Sequence, residues 1–307
     1  MTQITASMVK DLREKTGAGM MDAKKALSET DGDMEAAIDL LRQKGMAKAD
    51  KKSSRTAAEG LVSIKTEGTT GVAVEVNAET DFVARNDMFQ TYVKDLTARI
   101  LGSDVSTDAY ADPESESGAA VKDELTELIA KIGENMAFRR AAKLSVTNGV
   151  VCGYMHNSVA PDMGKIGVLV ALESTGDQAK LQELGKQIAM HAAAAFPKYL
   201  KQDEVDASEL EREKNVIREQ AREQGKPDDI IEKMLTGRMR KFYEEICLLD
   251  QIYVMDNERT ISKVLKDAES DVGVPVELTG FVRYQLGEGI EKEETDFAAE
   301  VAAAANG

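Results

Sequence analysis

Few side chains in this 307-residue sequence are suited to chemistry. It contains two histidines, His156 and His191, and two cysteines, Cys152 and Cys247. A zinc site generally needs three or four His or Cys ligands at recognisable spacings, and only Cys152 and His156 lie close in sequence. The two cysteines are too far apart to form a disulfide framework. We therefore expect no metal site, with Cys152 reduced and His156 at the end of a strand.

Phosphate-binding motifs are incomplete. The segment Gly17–Gly19 begins like a dinucleotide fingerprint, but Asp22 stands where the third glycine is needed and no strand precedes it. An acid at that point would repel the pyrophosphate that the glycines should hold. Gly287–Gly289 fails in the same way, and neither a P-loop nor a nucleophile elbow occurs. The sequence therefore predicts no cofactor, no catalytic residue and no enzyme.

The charge balance excludes a further class of function. Acidic residues outnumber basic ones by 55 to 39, which gives a formal charge of −16. Nucleic-acid affinity rests on many Lys and Arg contacts with phosphates, so direct nucleic-acid binding is disfavoured. The longest apolar runs, Ile188–Phe196 and Ala298–Ala305, are too short to span a bilayer. Since the N-terminus also lacks an export signal, we expect a cytoplasmic protein with no membrane partner.

One loop needs an explanation beyond folding. The segment Ala78–Asn86, with the sequence AETDFVARN, follows a predicted buried strand and precedes a predicted helix capped by Asp87. Phe82 beside Asp81 is either a plug folded back into the core, which the residue types alone favour, or an exposed wedge. A wedge could shift a partner's helices while the carboxylate disturbs a nearby metal ion, without any catalytic side chain in this protein.

Periodicity predicts the elements that position this loop. Apolar spacing indicates three short helices over residues 7–45, ending at Gly45, followed by a mobile basic linker over Met46–Arg55. Alternation then predicts strands at Leu61–Thr66 and Val72–Val76. Further helices are expected over residues 87–100 and from Val121 to about Arg140. Three more strands are expected, at Leu144–Val146, Val150–Met155 and Ile166–Leu172.

The second half of the chain differs in character. A helix after Leu172 repeats the earlier strand–loop–helix order, which favours two related subdomains. Two charged helices between Asp203 and Leu248 are broken at Gly225–Pro227, as expected for an antiparallel hairpin that contacts a partner. An alanine-rich final helix is predicted at Glu294–Ala305. Thr295–Phe297 repeats the Thr-Asp-Phe tripeptide there, and we expect it to cap and anchor this helix.

Several stretches of the chain resemble the bacterial elongation factor Ts family. They recur in order along nearly the whole sequence and are Thr5–Ser7, Val9–Arg13, Thr16–Asp22, Lys24–Leu27, Glu79–Val83, Lys131–Asn135, Gly225–Pro227 and Glu288–Lys292. The resemblance implies a guanine-nucleotide exchange factor that binds elongation factor Tu in its GDP-bound and nucleotide-free states. Higher-order assembly with that partner is left open.

The resemblance also implies positions for the contacts. The loop at Thr80–Val83, with Asp81 and Phe82 at its centre, would enter the partner's nucleotide domain near the bound magnesium ion. A second set in the N-terminal module would dock on that domain: Arg13, Met20, Met21 and Lys24. A third set in the core would touch the partner: His156, Val254 and Met255. The segment Asn157–Met163 is longer than is usual in the family, which bears on the pose of His156.

The fold expected from pattern and resemblance together is α+β. It comprises an N-terminal three-helix, ubiquitin-associated-like module, a two-subdomain core with antiparallel sheets, an inserted antiparallel coiled-coil hairpin and a C-terminal helix. The expected boundaries are 1–55 for the module and linker, 56–142 for the first core subdomain, 143–202 and 249–286 for the second, 203–248 for the hairpin, and 287–307 for the C-terminal module.

Two other functions remain open from the sequence. A protein-interaction adaptor that uses its helical module would bind the partner without affecting nucleotide release. A metal- or nucleotide-dependent enzyme would bind nucleotide by itself, which the missing motifs disfavour.

Overall fold

The computed structural model describes residues 3–291, and the expected final helix, with Thr295–Phe297, lies outside them. The described residues form nine α-helices and a six-stranded sheet. The helices are α1 Ala6–Thr16, α2 Met20–Glu29, α3 Met34–Lys52, α4 Asp87–Leu101, α5 Glu116–Ile132, α6 Gln178–Ala195, α7 Ala207–Glu223, α8 Asp228–Ile246 and α9 Ile261–Val272. The strands are β1 Glu59–Glu67, β2 Thr70–Ala78, β3 Met136–Ser145, β4 Gly149–Ala160, β5 Met163–Glu173 and β6 Glu277–Gln285.

The sheet has the strand order β3-β2-β1-β5-β4, and β6 also pairs with β5. The chain divides into two compact units. Within the described residues, unit 1 comprises 3–62, 74–141 and 285–291, and unit 2 comprises 63–73 and 142–284. The mixed α and β content agrees with the expected class. None of the helices in residues 3–291 is both long and apolar enough to cross a membrane.

Helix α3 corrects the prediction of a helix end at Gly45 and a mobile linker after it. The helix continues to Lys52, and Gly45 is buried in its middle. A Cβ added at Gly45 would lie 3.2 Å from the Cβ of Ala130 on α5. The glycine therefore allows two helices to approach closely instead of ending one. Lys48 and Lys51, which follow it, are exposed on the same helix.

Helix α5 also ends earlier than predicted. Gly133 adopts φ +89° and donates its N–H to the Ile129 carbonyl, which closes the helix. The residues expected to continue it form β3 instead. Two of them, Arg139 and Arg140, pair with Glu75 on the neighbouring strand β2 at 2.8 and 2.7 Å. Tertiary pairing thus overrides the helix propensity of Ala and Arg.

Glu75 is a fully buried carboxylate in unit 1. Besides the two arginines, it accepts the Gly287 N–H at 2.8 Å. Burial raises the pKa of Glu75, but the Gly287 amide and the arginines outweigh burial and hold the pKa below its usual value. The network therefore fixes three separate chain segments around one negative charge.

Unit 2 is built on a long β4–β5 hairpin. The two strands pair antiparallel from Gly149↔Glu173 to Ala160↔Met163, with a bulge between Ser158 and Ala160. The segment Asn157–Met163 therefore extends this hairpin. Helix α6 packs on both strands of the hairpin and α9 packs against α6, which gives the unit an apolar core that includes Val168, Val170, Leu181, Ile188 and Val264.

Helices α7 and α8 confirm the predicted pair of charged helices broken at Gly225–Pro227. Pro227 immediately precedes α8. Their contacts run in reverse order along the two helices, with Arg222 near Asp228 and Arg218 near Glu232. The seam between the helices is narrow, because its buried residues are Ile217 and Ala221 on α7 and Ile231, Leu235 and Met239 on α8, with a few half-buried neighbours.

Candidate functional site

The Phe82 loop, residues 79–86, connects β2 to α4 in unit 1. Asp81 and Phe82 form its turn, and both side chains are exposed. The Phe82 side chain is 79% exposed. The prediction that Phe82 folds back into the core, which the residue types favoured, is therefore wrong. The structure instead has the alternative, an exposed ring. Asn86, one residue before the predicted cap, starts α4 by accepting the Met88 and Phe89 amides.

Two glutamates hold the backbone on the N-terminal side of Phe82. The Glu134 carboxylate accepts the Thr80 N–H at 3.0 Å and the Thr80 hydroxyl at 2.8 Å. Glu79 accepts the Asn135 N–H and pairs with the Arg55 guanidinium at 3.3 Å. Because hydrogen bonds to ionised acceptors are stronger than neutral ones, the loop is fixed before any partner arrives.

The far side of the loop is held by burial. Val83 and Ala84 are buried, and a 3₁₀ turn follows over Val83–Arg85. Gln90 on α4 donates to the Ala84 carbonyl at 2.8 Å. The loop thus presents an aromatic ring and an exposed carboxylate on a fixed backbone. A carboxylate oxygen is the type of ligand that Mg²⁺ prefers, so Asp81 can compete for the coordination of such an ion on a partner.

The residues predicted as N-terminal contacts lie at the corner between α1 and α2, also in unit 1. All four side chains are exposed: Arg13, Met20, Met21 and Lys24. The Arg13 guanidinium donates to the Ala18 carbonyl at 3.3 Å, across the glycine turn that separates the helices. Two adjacent exposed methionines give this corner an adaptable apolar surface.

The predicted core contacts lie in unit 2, on two different segments. His156 is exposed on β4 opposite Ile166, and its Nδ1 lies 3.2 Å from the Tyr154 hydroxyl. The Val254 loop, residues 251–255, follows α8. In this loop Ile252, Val254 and Met255 are exposed, whereas Gln251 and Tyr253 are buried.

Sequence reasoning missed the groups that hold these loops. Glu134 and Asn135 lie more than fifty residues after Phe82, so no local pattern connects them with the loop. The one signal was that they belong to Lys131–Asn135, a stretch that resembles the family. No pattern in the sequence marks His191, yet it accepts the Val254 N–H at 3.2 Å and lies 3.0 Å from the Gln251 side chain. Burial lowers the pKa of His191, and the hydrogen bond to Gln251 opposes that shift only in part.

Neither cysteine is placed for chemistry. Cys152 and Cys247 are free and buried, and burial raises their pKa to about 11 and about 12. Across residues 3–291, no three His, Cys, Asp or Glu side chains are grouped so that they could hold a metal ion.

Comparisons with known proteins agree on one family. The family model described as "Elongation factor TS" matches residues 79–288. The chain is 61% identical over 307 residues to "Elongation factor Ts" of Rhodospirillum centenum, covering 99% of this chain and 100% of that protein. It is 59% identical over 308 residues to "Elongation factor Ts" of Allorhizobium ampelinum, with 100% of both covered. It is 61% identical over 306 residues to "Elongation factor Ts" of Rhodospirillum rubrum, with 99% of both covered.

Proposed function

The chain belongs to the elongation factor Ts family, and on that premise we propose that it promotes the release of GDP from elongation factor Tu. It binds elongation factor Tu in its GDP form, remains on the nucleotide-free form and leaves when GTP binds. It makes and breaks no covalent bond and uses no cofactor of its own. The place of action is the bacterial cytoplasm, where elongation takes place.

The mechanism is coupled binding. A magnesium ion and backbone amides of the partner hold the phosphates of the nucleotide. The Phe82 ring enters between structural elements of the partner and shifts them, while Asp81 perturbs the magnesium ion. Since coupling is reciprocal, the nucleotide weakens the binding of this protein by the same factor by which this protein weakens nucleotide binding.

Affinity and coupling are assigned to different residues. The exposed α1–α2 corner, with Arg13, Met20, Met21 and Lys24, docks on the nucleotide domain of elongation factor Tu. His156, Val254 and Met255 add contact area from unit 2. The Phe82 loop, with Thr80 and Val83 as its anchors, converts this affinity into nucleotide release.

The finer organisation is part of the same proposal. Helices α1–α3 form a ubiquitin-associated-like module in residues 1–55, and α7–α8 form an antiparallel coiled coil in residues 203–248. The core comprises residues 56–142 as one subdomain and 143–202 with 249–286 as the other, followed by a C-terminal module over 287–307. The hairpin serves a protein contact, since its narrow seam buries little apolar surface by itself.

The exposed, braced Phe82 is the observation that supports this function. The test is release of labelled GDP from purified elongation factor Tu with this protein at saturating concentration. Phe82→Ala should slow the maximal release at least about tenfold while changing the affinity for nucleotide-free partner far less. Val105→Ala, which truncates another exposed apolar side chain of unit 1, is the matched control and should have no effect.

Other outcomes would assign another function. A complex that forms without accelerating GDP release would indicate an interaction adaptor. Binding of nucleotide by the isolated chain would point to an enzyme. Equal losses of affinity and maximal release in folded Phe82→Ala would contradict the coupling role of the ring.

A further inference from the structure

His191 is a polar group in a mostly apolar interior. It lies on α6, is 0% exposed and is flanked by the core residues Ile188 and Ala192. A buried imidazole is costly unless both ring nitrogens are satisfied. In unit 2 both are satisfied, and both by the Val254 loop instead of by α6 itself.

The hydrogen bonds define the tautomer. The backbone N–H of Val254 can only donate, so Nδ1 of His191 is the acceptor at 3.2 Å. Nε2 therefore carries the proton and donates to the Gln251 Oε1 at 3.0 Å. A doubly protonated ring could not make the bond to Val254. The arrangement therefore requires the neutral imidazole. Burial favours the same form, because it lowers the pKa of His191.

Gln251 extends the network to two helix ends. Its Nε2 donates to the Ala195 carbonyl at the end of α6 and to the Glu245 carbonyl near the end of α8, at 3.0 and 2.8 Å. The amide therefore satisfies two helix-terminal carbonyls that would otherwise lack partners. With His191 it connects the loop to both helices.

The same network sets which side chains face outwards. Tyr253 is buried, with its hydroxyl donating to Gln187 at 3.1 Å and its ring centroid 6.0 Å from that of His191. Its neighbours Ile252 and Val254 are exposed on either side. The backbone at Val254 is thus held where its side chain and that of Met255 stay on the surface.

We propose that His191 is a positioning residue for partner binding, which acts through the Val254 N–H to hold Val254 and Met255 in their binding conformation. This inference rests on the proposed function, since it takes the Val254 loop as a contact with elongation factor Tu. His191 itself touches no partner. Its effect belongs to affinity and not to the release step, which the Phe82 loop performs.

The experiment compares two substitutions in the full chain. His191→Leu removes both hydrogen bonds, whereas His191→Asn retains a side-chain oxygen near the position of Nδ1 that can accept the Val254 N–H. We expect His191→Leu to raise the dissociation constant for nucleotide-free elongation factor Tu about tenfold, as for the loss of one or two hydrogen bonds. Maximal GDP release at saturation should be unchanged, and Asn should restore most of the affinity.

A destabilised core needs its own control. Leu181→Ala truncates another fully buried α6 residue of the same core, about 15 Å along the helix from His191, and should reduce stability by about 2–5 kcal/mol. When binding is measured well below the melting temperature of this variant, Leu181→Ala should leave the affinity for nucleotide-free elongation factor Tu unchanged. If it weakens binding as much as His191→Leu, the effect of His191 is general destabilisation and the proposal is overturned.

A double-mutant cycle completes the test. In the background Val254→Ala with Met255→Ala, His191→Asn and His191→Leu should cause no further loss of affinity. A full additional loss in that background would overturn the proposal, as would wild-type affinity in both folded single variants. Failure of the wild-type protein to release GDP at all would instead contradict the proposed function, and the two failures are thus distinguishable.

Discussion

The Phe82 loop and the Val254 loop both present exposed apolar side chains on fixed backbone, but they are held by groups of different charge. The Phe82 loop is held by the carboxylates of Glu79 and Glu134. The Val254 loop is held by a neutral imidazole and a neutral amide, His191 and Gln251. Hydrogen bonds to ionised groups are roughly twice as strong as neutral ones. The stiffer support therefore lies under Phe82, the side chain that we propose shifts structural elements of the partner.

The largest expected effect is on the carboxylate network next to the Phe82 loop. Glu75→Ala removes the fully buried partner of Arg139 and Arg140 and should destabilise the protein by about 3 kcal/mol, because Arg139 loses its buried counter-ion and Arg140 is left with the half-exposed Glu288. Chemical denaturation measures this change. Glu67→Ala, an exposed glutamate at the end of β1, is the control and should stay within about 0.5 kcal/mol.

The Glu75 network should also be sensitive to acid. Its pKa in the folded chain is lower than the ordinary value of 4.5, so the folded state binds fewer protons than the unfolded state. Its contribution to stability is therefore complete above about pH 4.5 and is lost as the pH falls through the lowered pKa. Glu75→Ala should reduce this acid sensitivity. An unchanged pH profile would mean that the charge is not what holds these segments.

The next effect should be on release itself. Glu134→Ala removes the acceptor of both Thr80 donors and should slow maximal GDP release about thirtyfold, equivalent to about 2 kcal/mol for two lost hydrogen bonds. Glu134→Gln retains one carbonyl oxygen, so its maximal rate of GDP release should lie between those of the wild type and Glu134→Ala. If release is normal in Glu134→Ala but impaired in Phe82→Ala, the ring acts without a rigid support and the comparison fails.

Local pattern predicted the elements around the Phe82 loop but not the groups that hold the loop. The strand before the Phe82 loop and the helix after it follow from alternation and spacing. The exposure of Phe82 does not follow from local pattern, because an aromatic side chain on a loop can point either into the core or into solvent. The carboxylate of Glu134, fifty-two residues away, stabilises the loop conformation in which the ring is exposed. Only the family resemblance indicated the exposed position.

The errors in the fold have the same origin. Local pattern predicts a helix end at Gly45, yet the glycine is buried against Ala130 of α5, which no local pattern contains. Residues 136–140 have good helix propensity, yet they form a strand because Arg139 and Arg140 pair with Glu75. Long-range contacts with polar or glycine residues decide these positions, and a single sequence does not reveal them.

A smaller effect should separate the neutral support from the charged one. The pKa of His191 is lowered below 6.5 by burial, with the Gln251 hydrogen bond opposing, so that the unfolded state binds more protons as the pH falls. The stability from neutral His191 is complete above about pH 6.5 and is lost below it. Thermal unfolding should therefore show a loss of stability that begins near pH 6.5 and continues as the pH falls through the lowered pKa of His191. His191→Asn should lack it, whereas His156→Asn should retain it, and a loss of equal size in both variants would exclude His191 as its source.

The smallest effect should come from the ion pair at the edge of the Phe82 loop. Arg55 and Glu79 lie 3.3 Å apart, but the arginine is half exposed, so screening leaves the pair little energy. Arg55→Ala should change GDP release by no more than about twofold. The Arg55 carbonyl, which accepts the Asn135 amide at 2.7 Å, remains in this variant. Stopped-flow release at low and high salt is the measurement. Slow release in Arg55→Ala, to the extent expected for Glu134→Ala, together with slow release of the wild type at high salt, would mean that an exposed charge pair holds the loop. The stiffness of the Phe82 loop could then not be attributed to its carboxylate–amide hydrogen bonds, which are what distinguish it from the Val254 loop.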